Sequence, residues 1–454
     1  MEIENKYMKI TRIHLKDFHQ FKDVDINLTY PKGHPKEGEP LEKVCIIGQS
    51  GTGKTTLLKV IGGHTFTINS LFKEYKHEDF KKVVVNKKVG NKEVMVNVFV
   101  DSKTKTNSYG WFIPKDQGGE DKFDETLALQ NEFLAKTKTH FIYFPADLHY
   151  EFEASDKSLS DKTVIDFTVD KVGDIWNLVF EEIQKHQEEG LKLETAIGKI
   201  AAEDPSKTKL ILAAVRKYET WKKKTLNPIN KLAEECLDPI LKNINLRVKR
   251  DFNFEKRGDI GIVKLEDLKG NEVPYHLLST GTKQIMLTAL PLFLLKPEET
   301  LILCDEPERS LYPNLQKMII DYYTSLTKDS QFFFSTHSPI IAASFEPWEV
   351  VELKFDDKGF VYQEKYYDKK KERHIDNYNI IPSYLTYDLM LSKVFGLNET
   401  HSQERSDKIT EVLMLRSQLQ SFKENGDTTS KTVKEIYKKY KDLASKLFWD
   451  FDIQ

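Results

Sequence analysis

The segment Lys43–Thr56, KVCIIGQSGTGKTT, constrains this chain more than any other. Lys43–Gly48 is a β-branched apolar run ending in glycine, the pattern of a buried strand. Directly after it, Gly48, Gly53, Lys54 and Thr55 satisfy G-x-x-x-x-G-K-[ST]. LLKVIGG then opens a helical pattern, so the order is strand, glycine-rich loop, helix, which is the context this motif requires. Gly48, Gly51 and Gly53 let the backbone curl until its N–H groups point inward at phosphate oxygens. The helix N-terminus adds partial positive charge. The candidate phosphate-binding set is Gly48, Gln49, Ser50, Gly51, Thr52, Gly53, Lys54, Thr55 and Thr56. In it Lys54 reaches the β- and γ-phosphates of a nucleotide and the Thr55 hydroxyl ligates Mg²⁺.

A second carboxylate-bearing strand is expected at Thr300–Pro307, TLILCDEP. Four apolar residues in a row suit a strand buried on both faces of a parallel sheet. Asp305 and Glu306 close it at its carboxyl end, where open α/β sheets bind ligands. Asp305 suits the Mg²⁺-linked position, and Glu306 the base that orients an attacking water. Gln331–Pro339, QFFFSTHSP, is another apolar strand ending in a polar turn, and it places His337 at the same edge as a γ-phosphate contact.

Composition sets the outer limits. The 454 residues are 39% hydrophobic, 31% charged and 11% aromatic, a globular composition long enough for two or three lobes. A net charge of -3 gives no global basic field for nucleic acid. Cys45, Cys236 and Cys304 form no CxxC pair, so neither a disulfide framework nor a zinc knuckle is indicated. The N-terminus lacks a signal-peptide core, and the longest apolar run, Ile285–Leu295, is too short for a bilayer. A cytoplasmic protein without membrane contact is expected.

Together these motifs resemble the ABC-type ATPases, within them the SMC/Rad50/RecF-like branch. The matching residues are Gly48–Thr55 (Walker A), Leu278–Gln284, LSTGTKQ (the signature), Leu301–Glu306 (Walker B) and His337 (the switch histidine). KITRIHLKDFHQFKDVDINL near the N-terminus resembles the opening hairpin of that branch. The resemblance covers about residues 1–150 and 246–365. Within the branch the chain looks most like bacterial OLD-family and AbiEii-like ATPases, through Glu308–Pro313 (ERSLYP), Thr336–Pro339 (THSP) and the tail segment Leu389–Leu419. The resemblance implies ATP and Mg²⁺ as cofactors and a homodimer that sandwiches two ATP. In it Glu306, His337 and Lys54 are catalytic, and Ser279 and Gly281 complete the site of the opposite subunit. It also implies a separate effector, a nuclease or toxin, in anti-phage or restriction-associated defence. A higher homo-oligomer, direct DNA binding of the RecF kind and an ATP-bound scaffold with little turnover stay open. Two departures stand out. Ser310–Pro313 replaces the usual D-loop aspartate, and the strand of His140–Glu151 offers Asp147 where a Q-loop glutamine is usual.

The expected fold class is α/β. It comprises an ABC-type P-loop head with a mixed sheet flanked by helices, an antiparallel β-subdomain, a short helical hairpin insertion and a helical C-terminal tail. The expected segments are ATPase lobe I over 1–165, the insertion over 166–245, lobe II over 246–365 and the helical region over 366–454. Lys81–Phe112 alternates as strands with a turn at Gly90–Asn91. Val172, Ile175, Leu178, Val179 and Ile183 keep helical spacing, and Pro205 breaks the run into a hairpin. Arms of about 40–50 Å are too short for a chromosome-scale rod. Docking of a partner and a purely structural role for the insertion both stay open. Asp450-Phe451-Asp452 and His374-Ile375-Asp376 are read as coincidences, so no TOPRIM or HNH nuclease is expected in this chain.

Overall fold

A computed structural model describes residues 8–66, 83–89, 92–100, 107–112, 141–148, 158–160, 162–225, 227–250, 263–397 and 402–448. The expected turn at Gly90–Asn91 and the Asp450/Asp452 pair lie outside these residues. The chain divides into two compact units, Met1–Leu385 and Thr386–Gln454.

The first unit is mixed α/β, a large sheet flanked by helices. Its strands, in chain order, begin with a hairpin of β1 (Met8–Phe18) and β2 (Phe21–Asn27). The phosphate-loop strand β3 (Lys43–Gly48) leads into helix α1 (Lys54–Phe66). A meander of β4 (Val83–Val89), β5 (Lys92–Val100) and β6 (Asn107–Phe112) follows, then β7 (Phe141–Phe144) and β8 (Val164–Asp166). A small separate sheet holds β9 (Leu246–Val248), β10 (Leu265–Asp267) and β11 (Glu272–Val273). The large sheet then takes β12 (Leu301–Asp305), β13 (Gln331–Thr336), β14 (Val350–Phe355) and β15 (Val361–Glu364).

The order across the large sheet is β6-β5-β4-β1-β2-β15-β14-β3-β13-β12-β7-β8. From β14 to β8 every pairing is parallel. The strands there are buried along nearly their whole length, as the unbroken apolar runs of β3, β12 and β13 demand. From β6 to β2 every pairing is antiparallel. The expected antiparallel subdomain is therefore continuous with the core. The seam is β15, antiparallel to β14 and joined to β2 through Val361 and Phe21.

A buried amide reinforces that continuity. Gln331, 1% exposed at the start of β13, accepts from the Ile10 N–H at 2.7 Å. It donates to the carbonyls of Ile10 at 3.0 Å and Leu41 at 2.8 Å. One side chain thus satisfies backbone groups of the opening hairpin and of the run into β3 that water cannot reach.

The insertion is a hairpin of α2 (Val172–Glu203, 32 residues) and α3 (Thr208–Lys224, 17 residues). Its limbs are unequal. The second stops at Thr225 because Pro228 opens a new helix at its first position. Ile175, Trp176, Leu178, Val179 and Ile183 are buried where α2 packs on α4 (Thr280–Leu295), whereas α3 buries no residue. Helix α5 (Pro313–Ser325) follows β12. In the second unit a short helix, α6 (Tyr387–Lys393), precedes an antiparallel pair, α7 (Gln403–Glu424) and α8 (Lys431–Lys446). That pair has a core of its own in Val412, Leu415, Leu419, Tyr440, Ala444 and Leu447. Among the described residues no helix is long and apolar enough to cross a membrane.

Replacing Gln331 with leucine keeps the volume and removes all three hydrogen bonds. The stranded backbone groups should cost roughly 2–3 kcal/mol, read as a lowered midpoint in urea unfolding. An unchanged midpoint would show that Gln331 does not tie the hairpin to the core.

Candidate active site

The carboxyl ends of three strands meet at one edge. Cross-sheet register puts Ile46 of β3 opposite Ser335 of β13, and Ser335 opposite Asp305 of β12. The phosphate loop, Asp305, Glu306 and His337 therefore emerge together, as the motifs imply.

The loop after β3 is closed on itself. Lys54 is buried, and its Nζ donates to the carbonyls of Gly48 at 3.0 Å and Gln49 at 3.2 Å. Burial lowers its pKa to about 8, against the raising pull of Glu306, Asp305 and Glu308. The Thr52 hydroxyl donates to the Gln49 carbonyl at 2.8 Å. Gly53 has φ +86°, and any Cβ there would collide with Gln20 and Phe21. The hairpin turn between β1 and β2 thus walls the loop, a neighbour that no motif in the sequence announces.

Thr55 Oγ1 donates to Asp305 Oδ2 at 2.8 Å, and the Ser335 hydroxyl donates to Asp305 Oδ1. Asp305 is thereby held by the phosphate loop on one side and by the neighbouring strand on the other. Glu306 turns away from the strand at φ +49°, with its N–H still donating to the Ser335 carbonyl at 2.9 Å. A left-handed glutamate is unusual backbone, and it swings the carboxylate out of the sheet. Glu306 Oε1 lies 3.8 Å from His337 Nε2, with both side chains partly exposed. Partial burial and the nearby Lys54 charge lower the His337 pKa below its ordinary value, which favours the neutral ring at neutral pH.

Ser279 is the N-cap of α4. Its hydroxyl accepts from the Thr282 N–H at 3.1 Å and lies 2.8 Å from the Thr282 hydroxyl. Gly281 is required by close approach, because a Cβ would strike the Ser310 carbonyl oxygen. Ser279 and Gly281 line a cleft of about 330 Å³ with Thr282, Ser310, Leu311 and Tyr312. No residue of the phosphate loop lines that cleft. Further along α4, Gln284 turns inward and donates to the carbonyls of Glu306 at 3.2 Å and Pro307 at 3.4 Å. Asp147, at the expected Q-loop place after β7, is exposed and pairs with Arg309, which also donates to the Ala146 carbonyl at 3.0 Å.

Residues 8–342 match the profile of the AAA ATPase domain family. The chain belongs to this family. No curated protein matches the AAA-family chain. Among solved structures it is similar to the Smc head domain with an extended coiled coil bound to the C-terminal domain of ScpA from Pyrococcus furiosus. Identity there is 14% over 79% of this chain and 96% of the other, with a TM-score of 0.43. It is also similar to the SMC head domain from Thermotoga maritima, 12% identical over 79% of this chain and 98% of that one, with a TM-score of 0.40.

The family implies nucleotide binding, commonly with Mg²⁺, and the donor set fits that ion. A hydroxyl and a carboxylate, Thr55 and Asp305, already face each other, and both offer hard oxygen. A site with one or two protein oxygens that leaves the rest to phosphates and water is the Mg²⁺ pattern. In Asp305→Asn the gain in ATP affinity on adding Mg²⁺ should shrink by at least roughly tenfold. Titrating a fluorescent ATP analogue with and without Mg²⁺ measures this, and a wild-type gain would remove Asp305 from the metal site.

Proposed function

We propose that this AAA-family chain hydrolyses ATP at the edge formed by β3, β13 and β12. The observation that carries this reading is the meeting of Thr55 with Asp305 and of Glu306 with His337. The Gly48–Thr56 backbone holds the phosphates. Lys54 exchanges its two carbonyl partners for β- and γ-phosphate oxygens, and the anionic ligand restores its full charge. Thr55 and Asp305 would hold Mg²⁺, which would neutralise the charge that develops on the phosphates. Glu306 orients the attacking water and takes its proton. His337 donates a hydrogen bond to the γ-phosphate.

The working unit in this proposal is a homodimer that encloses two ATP. The partner subunit's Ser279 and Gly281 complete each site. Two features support this. The Ser279 end of α4 is a capped helix N-terminus beside a small hydroxyl, which suits an anion. Its cleft is also lined without any phosphate-loop residue of its own chain, so a nucleotide carried by a second copy has room there. Contact with the γ-phosphate makes engagement depend on ATP, because only differential contacts shift such an equilibrium. Dimer formation and release then control a separate effector, a nuclease or toxin, as the resemblance to defence-associated ATPases suggests. The hairpin of α2 and α3 offers that effector a lever, since its base packs on the same α4 that Ser279 caps.

Light scattering with and without ATP separates these claims. Glu306→Gln should bind ATP, turn over at least roughly a hundredfold more slowly and accumulate as a dimer. Ser279→Arg should bind ATP as a monomer and form no dimer. A Glu306→Gln protein that stays monomeric with ATP would refute the sandwich. A Lys54→Ala protein with undiminished hydrolysis would refute the site itself.

A further inference from the structure

The sequence motifs Glu308–Pro313 and Thr336–Pro339 lie in separate loops, and none of the roles above uses the first of them. In the structure the two are tied together. Glu308, only 9% exposed, accepts at Oε1 both the Thr336 hydroxyl and the His337 N–H, the latter at 3.1 Å. The Thr336 hydroxyl in turn accepts from the Ser338 N–H at 2.9 Å. The Ser338 hydroxyl donates to Gln316 Oε1 at 2.6 Å, and Gln316 Nε2 donates to the Leu311 carbonyl at 2.8 Å. The circuit thus leaves the loop after β12, crosses to the turn after β13 and returns to the first motif.

We infer that Glu308 is a positioning residue for hydrolysis, a buried acceptor that fixes the turn carrying His337 against the loop carrying Glu306. The inference rests on the proposed role of His337 at the γ-phosphate. Among the described residues Glu308 hydrogen-bonds the turn after β13 rather than the phosphate loop, although its charge is felt at Lys54. It acts through the backbone N–H of His337 and the hydroxyl of the residue before it. Glu306 and Glu308 share one short loop, so the carboxylate that orients water and the one that places the histidine move together.

What is used is acceptor geometry at Oε1. The other oxygen, Oε2, is buried without a hydrogen-bond partner among the described residues. Burial pushes the carboxyl pKa up, although the bonds from Thr336 and the backbone pull it down. A neutral acid keeps a carbonyl-type oxygen that still accepts both donors, and so does a glutamine amide. Neither alanine nor a shortened aspartate offers an acceptor at that point. The role therefore predicts rescue by Gln and loss in Ala, whereas a role for negative charge predicts loss in both.

The test is steady-state ATP hydrolysis and ATP affinity of the full chain for Glu308→Gln, Glu308→Ala, Thr336→Val and His337→Ala, and for the double variants with His337→Ala. Melting temperatures are read alongside. Glu308→Ala should lose on the order of 10- to 100-fold in kcat while its ATP Kd stays within about threefold, because a displaced group near the reacting centre costs rate rather than binding. Glu308→Gln should recover to within about threefold of wild type. Adding Glu308→Ala or Thr336→Val to His337→Ala should slow it by no more than about twofold, since both act through the same histidine. Thr336→Val, nearly isosteric, carries the test if Glu308→Ala does not fold. Multiplicative losses in the double variants would overturn the inference, and so would a Glu308→Gln protein as slow as Glu308→Ala. His337→Ala at wild-type rate would instead overturn the role of His337, and this inference with it. A slow His337→Ala beside a normal Glu308→Ala would overturn the positioning role alone.

Discussion

A hydrogen bond between Thr55 and Asp305, 250 positions apart, exists only because two strands end in step on either side of a third. Thr55 follows β3 and Asp305 closes β12, with β13 between them. Parallel pairing without a shift sets Ile46, Ser335 and Asp305 in one row. A slip of one residue in either pairing would send every side chain of that strand to the other face. The site is therefore as rigid as the sheet register beneath it. The apolar runs that fix this register, CII, LILC and FFF, are themselves buried in the core.

Around that row, polar side chains do the local adjustment. Ser335 steadies Asp305, Gln284 reaches up from α4 to the carbonyls of Glu306 and Pro307, and Glu308 gathers the turn at His337. These groups are buried or nearly so, where an unmade hydrogen bond is expensive. Each joins elements that are distant in sequence. Gln284 connects α4 to the loop bearing Glu306, so the proposed trans-acting end of α4 and the proposed base of its own chain share one support. Arg309 adds a more exposed link between that loop and Asp147 at the end of β7.

The hairpin of α2 and α3 and the second unit differ in how they are stabilised. The α2 base belongs to the first unit's core, through Ile175, Trp176 and Leu178, whereas its outer part and all of α3 hold half-buried and exposed residues only. That distribution suits an arm held at one end. The pair α7 and α8 instead closes a small core of its own.

Much of the candidate site was legible in the sequence because the proposed chemistry needs particular residues at short spacing. Gly48 to Thr55, the Asp305-Glu306 pair and Ser279 before α4 are local patterns, readable wherever backbone curl, strand end or helix cap is set by neighbours in the chain. The parallel core was legible too, as unbroken apolar runs. What the sequence could not disclose was which groups meet across the fold. Gln331 reads as the polar edge of an apolar strand, Gln20 as a turn residue and Glu308 as an acidic loop residue. The antiparallel meander reads as a β-subdomain, and its continuity with the core through β1, β2 and β15 shows only in the fold. Only the tertiary structure decided these, because sheet order and register are fixed by long-range packing, and a polar side chain acquires its role from the donors and acceptors that packing brings to it.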